Sequence, residues 1–184
     1  MMKMDQAETP EEIEEVRRLL REYEASLGVS LCFQGFEREL AQLPGEYAPP
    51  GGRLLLCSAG VSPAVAGASH SRTRGQDAHP AGAGGETPAL HQAVGCVALR
   101  RVDDETCEMK RLYLRAGFRG RGAGRLLAVA IIGEARKIGY QKMRLDTLAE
   151  MREARTLYES LGFKRIEPYY HNPMQGVIFM ELEL

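Results

Sequence analysis

The chain has 184 residues, 44% of them hydrophobic and 27% charged, which suits one domain over 1–184 with a substantial core. With 24 Lys and Arg against 25 Asp and Glu, the formal net charge of −1 gives no electrostatic case for nucleic acid or an acidic membrane as partner. No apolar run approaches the ~20 residues of a membrane span, and MMKMDQAETP lacks the apolar centre of a signal peptide, so no membrane partner and a cytoplasmic setting are expected.

Met2 to Ala7 reads as a short first strand. TPEE then supplies a capping box, with Thr9 as N-cap, Pro10 at the first helical position and Glu12 reaching back. Ile13, Val16, Leu20, Tyr23 and Leu27 recur on one face of this first helix, and Gly28 ends it. A shorter helix over Gly35 to Leu43 precedes LPGEYAPPGG, whose proline and glycine mark a loop. Arg53 to Ala59, Ala93 to Arg100 and Thr106 to Leu114 read as strands, the last two joined by a turn at Asp103, Asp104 and Glu105. Between the first two, six Gly, seven Ala, three Pro and three Ser make up 19 of the 33 residues from Gly60 to Gln92. Such a segment cannot bury enough apolar surface to offset its ordering entropy, so a disordered insertion over 60–92 is expected, with a substrate lid or partner-binding loop as the alternative.

After residue 122 a long helix places Leu127, Ile131, Ala135 and Ile138 on one stripe, with Arg136 and Lys137 near its C-terminus and Gly139 closing it. Lys142 to Leu145 is the next strand. A capping box from Thr147 to Glu150 opens a helix carrying Ala154, Leu157, Tyr158 and Leu161, which Gly162 stops. Phe163 to Glu167 and Val177 to Leu184 are the closing strands, joined by PYYHNPMQG. The cysteines at 32, 57, 96 and 107 show neither CxxC pairing nor metal-ligand spacing, and are expected reduced and mostly buried. Three of the four histidines fall in the low-complexity segment, so no metal site is expected.

The turn before the long helix carries the chemistry. Glycines at 120, 122 and 124 let the backbone approach a ligand without Cβ interference, and the helix that follows points its first N–H groups at the same place. Arg119, Arg121 and Arg125 add positive charge around Ala123, so the expected ligand group is a phosphate or pyrophosphate. A Walker loop is excluded because Gly117 and Gly122 are followed by Ala123 with no lysine. A dinucleotide fingerprint is excluded because Gly120 and Gly122 lead to Arg125. What remains is RxxGxG, from Arg119 through Gly122 to Gly124, at the start of a helix. Together with LYESLGF at 157 to 163, it resembles the pyrophosphate motif and the following helix and strand of the GNAT superfamily of N-acetyltransferases.

The resemblance spans most of the chain and implies an α/β (α+β) fold: a mixed, mostly antiparallel central sheet of about seven strands with helices on both faces. It implies acetyl-CoA as cosubstrate and direct transfer to an amine, without an acyl-enzyme. By the same resemblance the cofactor meets the main chain of Leu112, Tyr113 and Leu114 and the turn Arg119, Gly120, Arg121, Gly122, Ala123, Gly124 and Arg125, and the Leu112 N–H polarises the thioester carbonyl. Glu108, four residues before Leu112 and so counted on the same strand face, is the expected base, with a water relay or His171 as alternatives and a plain charge pair with Lys110 as the bland reading. Tyr158 stands at the family's tyrosine, beside the CoA sulfur, as the expected acid; otherwise it is a core residue. Met151 replaces an asparagine common in the family, and Ala116 a proline. Tyr169, Tyr170, His171 and Asn172 are candidate acceptor-lining residues. A small-molecule amine is the expected acceptor, with a peptide or protein amine, or a noncatalytic acyl-CoA-binding module, as the competing readings; a homodimer is one assembly open to such a chain.

Overall fold

The computed structural model describes residues 2–28, 31, 35–60 and 91–184. Strand β1 (Met2–Gln6) leads into helix α1 (Pro10–Leu27), whose capping box forms as the sequence indicates: the Glu12 N–H donates to Thr9 Oγ1 at 3.2 Å, and the Thr9 N–H donates to Glu12 Oε2 at 3.0 Å. Gly28 ends the helix at φ +66°. Helix α2 (Phe36–Gln42) and a short 3-10 turn at Gly45–Tyr47 bring the chain to β2 (Arg53–Gly60). Strands β3 (His91–Arg101) and β4 (Thr106–Leu114) follow, then helix α3 (Ala123–Ile138), β5 (Lys142–Leu148), α4 (Arg152–Ser160), β6 (Lys164–Ile166) and β7 (Val177–Glu183).

The strands form one seven-stranded sheet in the order β1-β2-β3-β4-β5-β7-β6. Every neighbouring pair is antiparallel except β4 with β5. One face packs on α3 and α4 through Leu127, Ile131 and Ala135, which are fully buried against Val97, Leu99 and Met143. Each such large aliphatic contributes roughly 1.5–3 kcal/mol. The other face packs on α1 and α2 through Val16, Leu20, Phe36 and Leu40. Fold class and layering agree with the sequence reading.

Three local expectations change. The strand expected to stop at Leu145 continues to Leu148, because Asp146, Thr147 and Leu148 keep pairing with Phe179, Ile178 and Val177 of β7. Thr147 therefore lies in the sheet rather than capping α4, whose N-cap is Met151 with no side-chain bond. Of the insertion expected over 60–92, the flanks are strand, with Gly60 opposite His91 and Ala59 opposite Gln92; residues 61–90 lie outside the described ones. Cys57, Cys96 and Cys107 are free and buried, and burial pushes the Cys96 and Cys107 thiols up to about 12; Cys32 lies outside the described residues.

The third change is a β-bulge. In the β3–β4 ladder Cys96 faces Tyr113 and Ala98 faces Lys110, so Val97 alone opposes both Arg111 and Leu112. Arg111 takes φ +58°, a left-handed backbone unusual for a side chain of its size. One extra residue reverses the alternation of faces. Cys107 and Met109 point to the α3 side, and beyond the bulge Leu112 and Leu114 do so too, whereas Tyr113 packs with α1 and α2. Glu108 and Leu112, expected on one face, consequently lie on opposite faces of the sheet.

Gly95 sits beside this bulge, where an added Cβ would come within 2.5 Å of the Tyr113 carbonyl oxygen and 2.6 Å of Leu114 Cδ2. Gly95→Ala is expected to destabilise the fold by about 1–3 kcal/mol, because β3 and β4 must separate to admit one methyl group. Urea unfolding of the variant against the parent measures this, and equal midpoints would mean that the two strands yield without cost.

Candidate active site

The turn between β4 and α3 is built to present amides. Gly120 and Gly122 adopt φ +72° and +79°, and a Cβ at either would meet nothing within 4 Å, so the turn faces open space. Their requirement for glycine is therefore in the backbone twist. Gly122 is the N-cap of α3 with no side-chain cap, and the Leu126 N–H makes the helix's first amide bond, to the Gly122 carbonyl at 3.1 Å. The N–H groups of Ala123, Gly124 and Arg125 precede that bond and have no helical carbonyl to reach. The helix dipole adds to the positive potential there.

The arginines divide the work. Arg119 Nε donates to the Leu114 carbonyl at 2.9 Å, and its guanidinium lies 5.7 Å from the Tyr113 ring centre, which ties the turn to the end of β4. Arg125 Nη1 donates to Ser160 Oγ at 2.8 Å, joining the first turn of α3 to the end of α4. Arg121 is exposed. Ala116, in the family's proline position, opens a 3-10 turn at Ala116–Phe118 that leads the chain into the glycines.

Beside the turn the sheet opens. Strands β4 and β5 pair only where Thr106, Cys107 and Glu108 meet Lys142, Met143 and Arg144. Beyond Glu108 they part around a cleft lined by Leu112 of β4, Asp146 of β5, Met151 and Tyr158 at α4, Tyr23 of α1 and Met174 before β7. The stretch holding Leu112, Tyr113 and Leu114 thus borders the gap while keeping β3 as partner on its other edge. The bulge and the parting bring Leu112 and Tyr158 to one cleft, and the turn follows the end of β4, tied to it through Arg119.

Tyr158 is buried, its ring 5.8 Å from Phe163, and burial raises its phenol above the ordinary value. Burial makes the phenol a weaker acid, and it holds its proton at neutral pH as an ordinary phenol does, so it meets a departing thiolate as a hydrogen-bond donor. Among the described residues its hydroxyl has no hydrogen-bond partner, and the side chain lines the cleft. Met151, in place of asparagine, has only its sulfur to offer, and Thr147 Oγ1 lies 3.9 Å from it.

Glu108 is fully buried. Arg100 Nε donates to its Oε2 at 2.6 Å, the Tyr169 hydroxyl donates to its Oε1 at 2.7 Å, and Lys110 Nζ lies 3.7 Å from Oε1. Burial first, and then the neighbouring carboxylate, push the Tyr169 phenol far up. Lys110 in turn reaches across the parted strands to Asp146 at 3.2 Å. Lys110 and Asp146 line the cleft; Glu108 stands behind them.

Of the four expected acceptor-lining residues, three join this cluster. Tyr169 bonds Glu108, Asn172 Nδ2 lies 3.0 Å from the Tyr170 hydroxyl and 3.4 Å from Asp146 Oδ2, and both tyrosine rings meet Phe179 edge-on at 5.2 Å. His171 is exposed. Asp146 and Lys110 were not singled out from the sequence, since Lys142, Arg144 and Asp146 alternate like the solvated face of a strand. Only the parting of β4 from β5 gives them a cleft to line.

A model of the acetyltransferase (GNAT) family matches residues 69–163. An N-acetyltransferase from Schizosaccharomyces pombe, itself uncharacterised, is 36% identical over 176 residues, covering 95% of this chain and 90% of its own. The crystal structure of an acetyltransferase from Streptococcus agalactiae superposes with a TM-score of 0.69 at 20% identity, covering 100% of this chain and 98% of that one. The PaiA N-acetyltransferase of Thermoplasma acidophilum, solved in complex with coenzyme A, does so with 0.65 at 14% identity, over 100% of this chain and 99% of that one. The chain belongs to the GNAT acetyltransferase family and is an acyltransferase.

Gly122→Asp places a carboxylate among the amides and a Cβ on a left-handed backbone. Calorimetry is expected to show coenzyme A binding weakened by about a hundredfold or more, since like charges meet where the pyrophosphate belongs. The strain on folding is expected to be only about 1–2 kcal/mol. A folded variant with unaltered affinity would place the pyrophosphate elsewhere.

Proposed function

We propose that the protein transfers the acetyl group of acetyl-CoA directly to the primary amine of a small molecule, in the cytoplasm. The observation that carries this reading is the parting of β4 from β5, which opens a cleft lined by Leu112 and Tyr158 next to the strand end that Arg119 ties to the amide turn. The glycine turn fits a pyrophosphate: it is open, amide-rich and free of Cβ atoms. Acetyl-CoA supplies the acetyl group as an activated thioester. The acceptor nitrogen forms the new bond to carbon, the carbon–sulfur bond breaks, and one proton leaves the amine.

The chain's own residues serve each part. Residues 122–125 hold the pyrophosphate by main-chain N–H groups, and the Leu112 N–H is the donor for the carbonyl oxygen. Tyr158 meets the departing thiolate as a hydrogen-bond or proton donor. The amine's proton goes to Asp146, which lines the cleft and pairs with Lys110 at 3.2 Å, while Glu108 lies behind, 3.7 Å from the same lysine. A small acceptor suits a cleft whose walls come from Tyr23 and Leu27 of α1, Asp146 of β5 and Met174.

Tyr158→Phe tests the assignment. With acetyl-CoA affinity unchanged by calorimetry, kcat for free thiol release in the presence of an accepted amine is expected to fall by about tenfold or more. An unchanged kcat would remove Tyr158 from the reaction. Binding of acetyl-CoA by the parent protein with no thiol released across a broad amine panel would instead favour a noncatalytic binder.

A further inference from the structure

Lys110 and Asp146 form an ion pair that spans the gap where β4 and β5 no longer pair. Asp146 lies two residues beyond the last β5 residue paired with β4, so its side chain and that of Lys110 bridge open space between the strands. Their exposures are 9% for Lys110 and 15% for Asp146, and both line the cleft. The surroundings fix the two charges in place. Asn172 Nδ2 approaches the second oxygen of Asp146 at 3.4 Å, and the Lys110 ammonium lies 5.9 Å from the Tyr170 ring centre and 3.7 Å from Glu108. The other cation on this wall, Arg111, is engaged by both oxygens of Glu39, at 2.9 and 2.5 Å.

A pair of this kind, mostly withdrawn from water, gives the fold little that apolar residues of the same size would not. For a ligand, however, it offers one charge of each sign. An acceptor bearing only an ammonium can meet Asp146, but it brings a second cation beside Lys110 and leaves the lysine without its partner. An acceptor that also carries a carboxylate replaces both halves of the pair at once.

We propose that Lys110 and Asp146 select an acceptor with a carboxylate beside its reacting amine, an α-amino acid or a related zwitterion. The ammonium lies on Asp146 and the carboxylate on Lys110. This rests on the acetyl-transfer reading and adds the acceptor's class to it. The ammonium sheds one proton to Asp146, which frees the lone pair to bond the acetyl carbon; the second nitrogen proton leaves as the carbon–nitrogen bond forms and the carbon–sulfur bond breaks, balancing the proton that the thiolate takes up.

The test is a matched panel of α-amino acids and their decarboxylated amines, followed by thiol release from acetyl-CoA with the parent protein, Lys110→Gln and Lys110→Arg. The parent is expected to favour the amino acid over its decarboxylated partner by about tenfold or more in kcat/KM, because a site made for a charged group rejects the analogue lacking it. Lys110→Gln is expected to bring the ratio close to one with acetyl-CoA affinity retained, and Lys110→Arg to restore much of it. Equal or better turnover of the decarboxylated amines by the parent overturns the proposal but leaves acetyl transfer standing. So does a preference that survives in Lys110→Gln. Silence from both panels, with acetyl-CoA bound, overturns the transfer reading and this proposal together.

Discussion

The β-bulge at Arg111 and Leu112 is the constraint on which the rest of the site depends. A left-handed backbone at an arginine persists only where neighbours over-determine it. Here Glu39 of α2 accepts two bonds from the guanidinium, and the Phe36 ring packs 5.2 Å beneath it. Burial raises the Glu39 carboxyl, but hydrogen bonds and charge from Arg111 more than offset that and hold it below the usual range. Glu39 also accepts the Tyr47 hydroxyl at 2.7 Å, so the loop after α2 joins the same clamp. Helix α2, remote from the glycine turn in sequence, therefore sets the face on which Leu112 emerges.

Once β4 has bulged, it can leave β5. The parallel pairing covers three residue pairs and stops, and β5 continues with β7 alone. Main-chain groups that would have closed the ladder are left at the gap, an arrangement that is costly in a dry interior and stable only where water or a ligand meets them. Arg119 closes part of the opening by reaching back to the Leu114 carbonyl, which fixes the distance between the strand end and the amide turn. Charge follows the same geometry, with the arginines clustered at the turn and the carboxylates Glu108 and Asp146 at the far side of the gap.

The sequence made the parts of the fold that follow local rules legible. The capping box at Thr9, the closures at Gly28 and Gly139, the stripe through Leu127, Ile131 and Ala135 and the glycine turn are each written within a few residues of where they act. The bulge is not written locally. Arg111 carries no signature of a left-handed backbone, because its conformation is imposed by Glu39, 72 positions earlier. Counting by twos from Glu108 to Leu112 therefore gave the wrong face. Thr147 to Glu150 has the pattern of a cap, yet pairing with β7 outweighs it. The partner of Glu108 was hidden for a related reason, since Tyr169 lies 61 residues away and reaches it through the turn before β7.

Much of what the glycine turn presents is peptide backbone. Amides exist at every position whatever the side chain, so the grip survives replacement of residues as long as the curvature survives. The chain shares only 14 to 20% of residues with the two solved acetyltransferases and keeps their architecture. Heredity of this kind resides in shape more than in spelling.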